Sequence, residues 1–442
     1  MLRESGACPE RGMKTLLRVT VLAAFILPLV LGLHARAEIQ PASGDLLDEI
    51  ESIRGNMPGR GSEGFSPPGS ADLNIWRTIA EALLEEQAGT VDSLLTTHFP
   101  DYELLLYVDT GLDSSEYYVL KESPPITLGW GTLILRLCHA REIAIEIPHP
   151  RYEINTPSEG GDIFRRAGAR LFIMAGTHRC ANSAHSPCDG TSTVCYDNNY
   201  HVSDMAHLTD AVYQVAHEAF NGAYPEGYSF SMHGTGSSSC EDIFLSNGHA
   251  SDSQPVLFDL RDHMLASGDI TVGIAGDGTS DCTLYGSTNT QGRYTNGSPT
   301  PCTQSCGSAT GHFIHAEQQR RVRDSITVYS KLIAAIEEVI PAVQAGLVSP
   351  SGPVTDILLS GPYPNPGKSQ VFFTLTVAEA QAVRVEAFDT LGRRVAELYG
   401  ATALPGLPVR IEFETAGLAS GIYFVRASSG GVASTRAVTL LR

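Results

Sequence analysis

The chain has 442 residues, 42% hydrophobic and 18% charged, which excludes an intrinsically disordered protein and supplies core for about two to three domains. Its formal net charge is −19, from 30 Lys and Arg against 49 Asp and Glu. So acidic a protein is a poor match for nucleic acid or an anionic membrane surface.

Residues 1–37 read as a signal peptide. Lys14 and Arg18 precede an apolar run from Val19 to Leu33, and Ala35-Arg36-Ala37 offers small residues at a cleavage site. The run is about 15 residues, short of the roughly 20 a spanning helix needs. This segment carries five basic and two acidic side chains, so the remainder stands at −22. Cys8 falls within it, and the other eight of the nine cysteines lie between Cys138 and Cys306. An even number in an exported chain points to disulfides, whose pairing the spacing leaves open. The alternative for Cys302-x-x-x-Cys306 is a zinc pair.

Residues 38–100 read as a linker and helical N-terminal region. The stretch 38–72 is rich in Gly, Pro and Ser around a short acidic helix from Asp45 to Ile53, and Leu73 to Gln87 is amphipathic. Residues 101–347 then read as one α/β domain. Strands are expected at Tyr102–Val108, Tyr117–Lys121, Thr132–Leu137 and Glu142–Ile147. From residue 159 helix and strand alternate. The helices are Glu159–Ala167, Asp204–Phe220, Pro255–Ala266 and Gln318–Gln344; the strands are Arg170–Gly176, Tyr228–Met232, Ile270–Ala275 and Phe313–Ala316. That alternation predicts a three-layer α/β domain on a mixed sheet, with ligands outside the carboxyl ends of the strands. Residues 348–359 form a Ser/Pro/Gly linker. Six short strands between Gln370 and Leu441 then predict a small all-β sandwich over 360–442.

The sandwich carries Tyr363-Pro-Asn-Pro366, Val385-Glu-Ala-Phe-Asp-Thr-Leu-Gly-Arg-Arg-Val395 and Gly421-Ile-Tyr-Phe-Val-Arg426. These resemble the C-terminal sorting domain of the type IX secretion system. The resemblance implies export to the cell surface or the medium and type IX machinery as a partner. The alternative is an accessory β-sandwich with a binding role.

Chemistry concentrates at three strand ends. Glu142-Ile-Ala-Ile-Glu-Ile-Pro148 runs into His149, with Glu153 four residues on; His233 ends Phe230-Ser-Met-His-Gly234; Glu317 ends Phe313-Ile-His-Ala-Glu317. A catalytic zinc takes three His or Glu ligands and keeps one position open, so His149, Glu153 and His233 form a candidate ligand set. Glu317 is the candidate general base and acid. As the first-turn carboxylate of a following helix it would also suit the helix dipole. Arg179 and His178, after the strand ending at Gly176, and Asn289 and Arg293, in the polar loop 276–311, are candidate substrate-binding residues. His201-Val-Ser-Asp204-Met-Ala-His207 has a metal-like composition, with Ser203 or Asp204 as a helix cap in the plainer reading.

In order, Ile147-Pro-His149, Met232-His-Gly234 and His315-Ala-Glu317 resemble the zinc carboxypeptidase superfamily, in its N-formylglutamate amidohydrolase and polyglutamate hydrolase-like branch. The resemblance implies a zinc-dependent hydrolase cleaving amide bonds of amino-acid or peptide substrates, with an Arg to hold an acidic one. His149 and Glu153 depart from that family's His-x-x-Glu spacing, which Cys138-His139-Ala-Arg-Glu142 matches literally, so Glu142 competes with Glu153 as acidic ligand. A disulfide-stapled surface protein that binds without catalysis, and a metal-dependent esterase or deacetylase, are the other readings.

Overall fold

A computed structural model describes residues 39–343 and 357–441, apart from 364–366, 369, 378–379, 405–408 and 431. The signal peptide and most of the 348–359 linker lie outside the described residues.

In chain order the first unit contains β1 (Gln40–Gly44), α1 (Leu46–Asn56), α2 (Ser70–Leu84), α3 (Ala88–His98), β2 (Tyr102–Asp109), β3 (Glu116–Glu122), β4 (Thr132–Arg136), β5 (Arg141–Ile147), α4 (Thr156–Arg166) and β6 (Ala169–Met174). It continues through a 3₁₀ turn at Met205–His207, then α5 (Val212–Ala223), β7 (Tyr228–Gly234), β8 (Ile243–Ser246), α6 (Pro255–Ala266), β9 (Val272–Ile274), α7 (Thr290–Thr295), β10 (Phe313–Gln318), α8 (Arg320–Arg323) and α9 (Ile326–Val339). The ten strands form one mixed sheet in the order β1-β2-β3-β4-β6-β5-β7-β10-β8-β9. The central strands β6, β5, β7 and β10 run parallel, so their carboxyl ends share one edge.

The strands alternate sides as the pleat requires. Ile143, Ile145 and Ile147 of β5 join Phe230, Met232, Ile314 and Ala316 on one face, beneath Leu46 and Ile50 of α1, Ile163 and Phe164 of α4, and α6 and α9. Ala144, Leu171 and Ile173 face the other way, against α2, α3 and α5. The result is the expected three-layer mixed α/β architecture. The chain leaves β5 through α4 to β6 on one side, then returns through α5 to β7 on the other. The carboxyl end of β5 is therefore a topological switch point, where such sheets leave a crevice.

Several elements differ from the sequence reading. The stretch 38–72, read as a linker or arm around a short acidic helix, contributes β1, which pairs in parallel with β2; the helix forms as expected, as α1, but packs into the core with Leu46 and Ile50 fully buried. Asp45 makes this possible: its side chain caps α1 at Leu47 N and takes Arg165 Nη1 at 2.9 Å. The helix expected from Asp204 begins only at Val212, because Asp204 turns its carboxylate to other partners rather than capping. The strand expected to stop at Ala316 runs to Gln318, so Glu317 sits inside β10 and not in a helix's first turn. The helix expected over 318–344 breaks between α8 and α9, where Asn155 donates to Asp324. The strand β8 and the helices α3 and α7 were not foreseen.

Three disulfides close among the described residues: Cys180–Cys195, Cys188–Cys302 and Cys240–Cys282. Cys306 stays a thiol next to the Arg293 carbonyl, so the expectation that all eight pair fails at this position, and Cys302 is spent on Cys188 rather than on zinc.

Among the described residues the C-terminal unit has seven strands where six were expected: β11 (Ile357–Tyr363), β12 (Gln370–Val377), β13 (Gln381–Asp389), β14 (Arg394–Ala403), β15 (Val409–Glu414), β16 (Gly421–Ser429) and β17 (Val432–Leu440). They form a three-stranded and a four-stranded antiparallel sheet. Val371, Phe373, Val385, Phe413 and Val425 fill the space between them.

Candidate metal centre

The switch-point edge gathers buried polar groups that an apolar core would reject. After Ile147, Pro148 ends the strand and residues 149–153 form one helical turn, with Glu153 N donating to His149 O at 2.9 Å. An i,i+4 spacing on a helical turn puts both side chains on one face. His149 Nδ1 accordingly lies 2.7 Å from Glu153 Oε1, so His-x-x-x-Glu works here where an extended backbone would separate the pair. The competing His139 and Glu142 stand at the amino end of β5. Its seven residues at about 3.3 Å each separate them from this edge. His139 is held instead by Arg170 at 3.1 Å, and burial beside that arginine pushes its pKa down to about 3.

On β7, His233 Nδ1 lies 3.4 Å from Glu153 Oε2. The next residue, Gly234, donates its backbone N–H to the same oxygen at 3.0 Å. A Cβ at Gly234 would stand 2.4 Å from the Arg323 guanidinium, so glycine is what lets Arg323 tie the Ile154, Thr235 and Gln318 carbonyls across this edge. Strand β10 pairs in register with β7, His315 opposite Ser231 and Glu317 opposite His233, so all four share one face. The His315 ring is 4.5 Å from the His233 ring, and its Nε2 is 3.8 Å from Glu317 Oε1. Two sets of potential ligand atoms, His149 with Glu153 and His233, and His233 with His315 and Glu317, each fall within 4.8 Å.

The second ring nitrogens are also held. His149 Nε2 is 2.9 Å from Asp204 Oδ1, and His233 Nε2 is 3.1 Å from Ser231 Oγ. Both imidazoles thus direct Nδ1 toward Glu153, the arrangement in which outer partners fix the tautomer of a metal-binding histidine. The sequence offers Asp204 as part of a metal-like run or, more plainly, as a helix cap. The structure makes it a hub: Arg179 Nε donates to Oδ2 at 2.9 Å, and His207 Nδ1 is 3.1 Å from Oδ1. The metal-like run from His201 to His207 was the signal for it.

The charges balance within the cluster. Burial raises the cost of ionising Asp204 and Glu153, but Arg179 beside Asp204, and His149 and His233 beside Glu153, hold both carboxyls well below the usual range. Burial and Arg179 oppose a charged His149, yet Glu153 and Asp204 on its two nitrogens outweigh them and raise its pKa. His233 and His315 are pushed down by burial first. Burial, reinforced by Glu153, lifts Glu317 to about 8. Two imidazoles and a carboxylate converging at one buried edge, with a second carboxyl on the neighbouring strand, make a donor set that fits a zinc ion.

Of the remaining candidates only Arg179 reaches this group. His178 Nδ1 accepts from Cys180 N at 3.0 Å, and its ring meets the edge of Tyr152. Arg179 is committed to Asp204, leaving Nη1 turned inward, 3.5 Å from His149 Nδ1 and 3.8 Å from Glu153. Asn289 caps α7 through Gln291 N and Gly292 N. Arg293 is spent on Asp189 and on the carbonyls of Ser287, Pro301 and Cys302. The free guanidinium expected for a substrate carboxylate is not presented by either arginine.

Residues 362–440 match the family model described as "Secretion system C-terminal sorting domain". The C-terminal sandwich is a type IX sorting domain. The sorting domain indicates export and a cell-surface or secreted location. No helix among the described residues is long and apolar enough to cross a membrane. No curated protein matches the chain in sequence. Among solved structures, latent PorU from Porphyromonas gingivalis is 19% identical over 23% of this chain, at a TM-score of 0.17; the match spans only 10% of the PorU chain. The N-formylglutamate amidohydrolase from Ralstonia eutropha JMP134 is 15% identical over 48% of this chain and 97% of its own, at a TM-score of 0.29. Likenesses this low assign no activity.

Proposed function

We propose that this chain is a secreted zinc-dependent hydrolase that cleaves an amide bond in an amino-acid or peptide substrate. The observation that carries this reading is the convergence of His149, Glu153 and His233 at the switch point, with Glu317 on the neighbouring strand. His149, Glu153 and His233 would hold zinc, which when bound supplies a Lewis acid for the scissile carbonyl and makes water a nucleophile near neutral pH.

The chain's own residues do the rest. Asp204 and Ser231 keep the two imidazoles aimed. Glu317 takes a proton from the attacking water as its oxygen bonds to the carbonyl carbon. It then returns that proton to the nitrogen as the C–N bond breaks, leaving a carboxylic acid and an amine, between which a proton passes to give carboxylate and ammonium. An amine leaves poorly unless protonated, so a buried carboxyl able to carry a proton near neutral pH favours an amide over an ester. Tyr152 and Ile154 flank Glu153 and are 40% and 54% exposed, an apolar rim for the acyl part of the substrate.

Hydrolysis of a panel of N-acyl amino acids and short peptides tests this reading. Turnover is expected to vanish on treatment with a chelator and to return with added zinc. Full activity after chelation would overturn the metal-dependent reading, and no turnover on any substrate with or without zinc would favour a binding protein.

A further inference from the structure

A second histidine cluster stands in the stapled loop that follows β6, on residues separate from the candidate centre. His185 and His201 face each other across an antiparallel bridge, fixed on either side by Ser186 N donating to Tyr200 O at 2.8 Å and Val202 N to Ala184 O at 2.9 Å. Both rings turn Nε2 to the same oxygen, Asp197 Oδ2, at 3.0 Å from His185 and 2.8 Å from His201. The other oxygen, Oδ1, accepts the Asn199 backbone N–H at 3.2 Å, so the carboxylate is oriented before any ligand arrives.

We propose that His185, Asp197 and His201 form a second divalent-metal site, of the borderline-soft class that includes zinc, holding this loop in place. Ligand atoms about 2.1 Å from a tetrahedral zinc stand about 3.4 Å from one another. The three atoms here already lie within 4.8 Å, and the two separations from Asp197 need to open by only about half an ångström. His185 is half-exposed and Asp197 one-third exposed, which leaves an entry path and a position for water, while His201 is buried and fixed.

The placement gives the site a purpose. The loop begins at Cys180, next to Arg179, and is closed by Cys180–Cys195; Ser203 Oγ then donates to the Arg179 carbonyl at 2.9 Å. A cation between residues 185, 197 and 201 would fasten the segment leading directly into Asp204. Two closures, one covalent and one by metal, would then fix the hub that orients His149.

Zinc titration of the chelator-stripped full chain by calorimetry tests the proposal. The parent protein is expected to take two equivalents, and His185→Ala and Asp197→Asn one. Asp197→Asn keeps the oxygen that accepts from Asn199, so it changes the ligand and spares the turn. His149→Ala identifies the other equivalent. Loss of zinc in His149→Ala, with parental binding in His185→Ala and Asp197→Asn, would overturn the second site and leave the candidate centre standing. Loss only in the loop variants would do the reverse.

Discussion

Glu317→Gln is expected to lower kcat by about 100- to 10,000-fold while leaving bound zinc unchanged, the range for removal of a positioned general acid–base group. Glutamine keeps the shape of the side chain and both its polar atoms, but it can neither accept the water proton nor return it to an amine. Fold and metal should be insensitive to the change, since Glu317 stands outside the His149, Glu153 and His233 set and glutamine fills the same space. Near-parental turnover in a zinc-loaded Glu317→Gln protein would remove this residue from the chemistry.

Asp204→Ala is expected to cost about 3–5 kcal/mol of stability, because it leaves the buried Arg179 without its principal partner. It also frees Nε2 of His149, so zinc affinity should fall by about 10- to 100-fold. Asp204→Asn retains an acceptor oxygen and should lose less on both counts. Denaturant unfolding and zinc titration read the two effects separately. Unchanged stability and affinity in Asp204→Ala would show that the hub is dispensable.

Much of this was legible in the sequence where the signal is periodic or local. The isoleucines of β5, the strand at β7 and the motifs of the sorting domain announce themselves through alternation and turn residues. His149, His233 and Glu317 were legible as a group because each stands at the end of a strand of one expected mixed sheet, with Glu153 four residues beyond His149. The geometry of Glu153 was less so. Its four-residue spacing looks irregular until Pro148 is seen to stop the strand and begin a helical turn.

Asp204 was hidden for a different reason. Its partners Arg179 and His149 lie 25 and 55 residues away, and a capping residue and a buried hub look alike in a chain read locally. The same limit affected Arg179 and Arg293, which sequence alone leaves free for substrate and the fold commits to Asp204 and Asp189. β1 was missed because Gln-Pro-Ala-Ser-Gly has no apolar alternation, and its pairing with β2 sustains it.

The central claim is that His149, Glu153 and His233 hold a zinc ion. Elemental analysis of purified parent, His149→Ala and His233→Ala proteins, each confirmed folded by circular dichroism, tests it directly. Each variant is predicted to contain one zinc equivalent fewer than the parent. Parental zinc content in both would contradict the account.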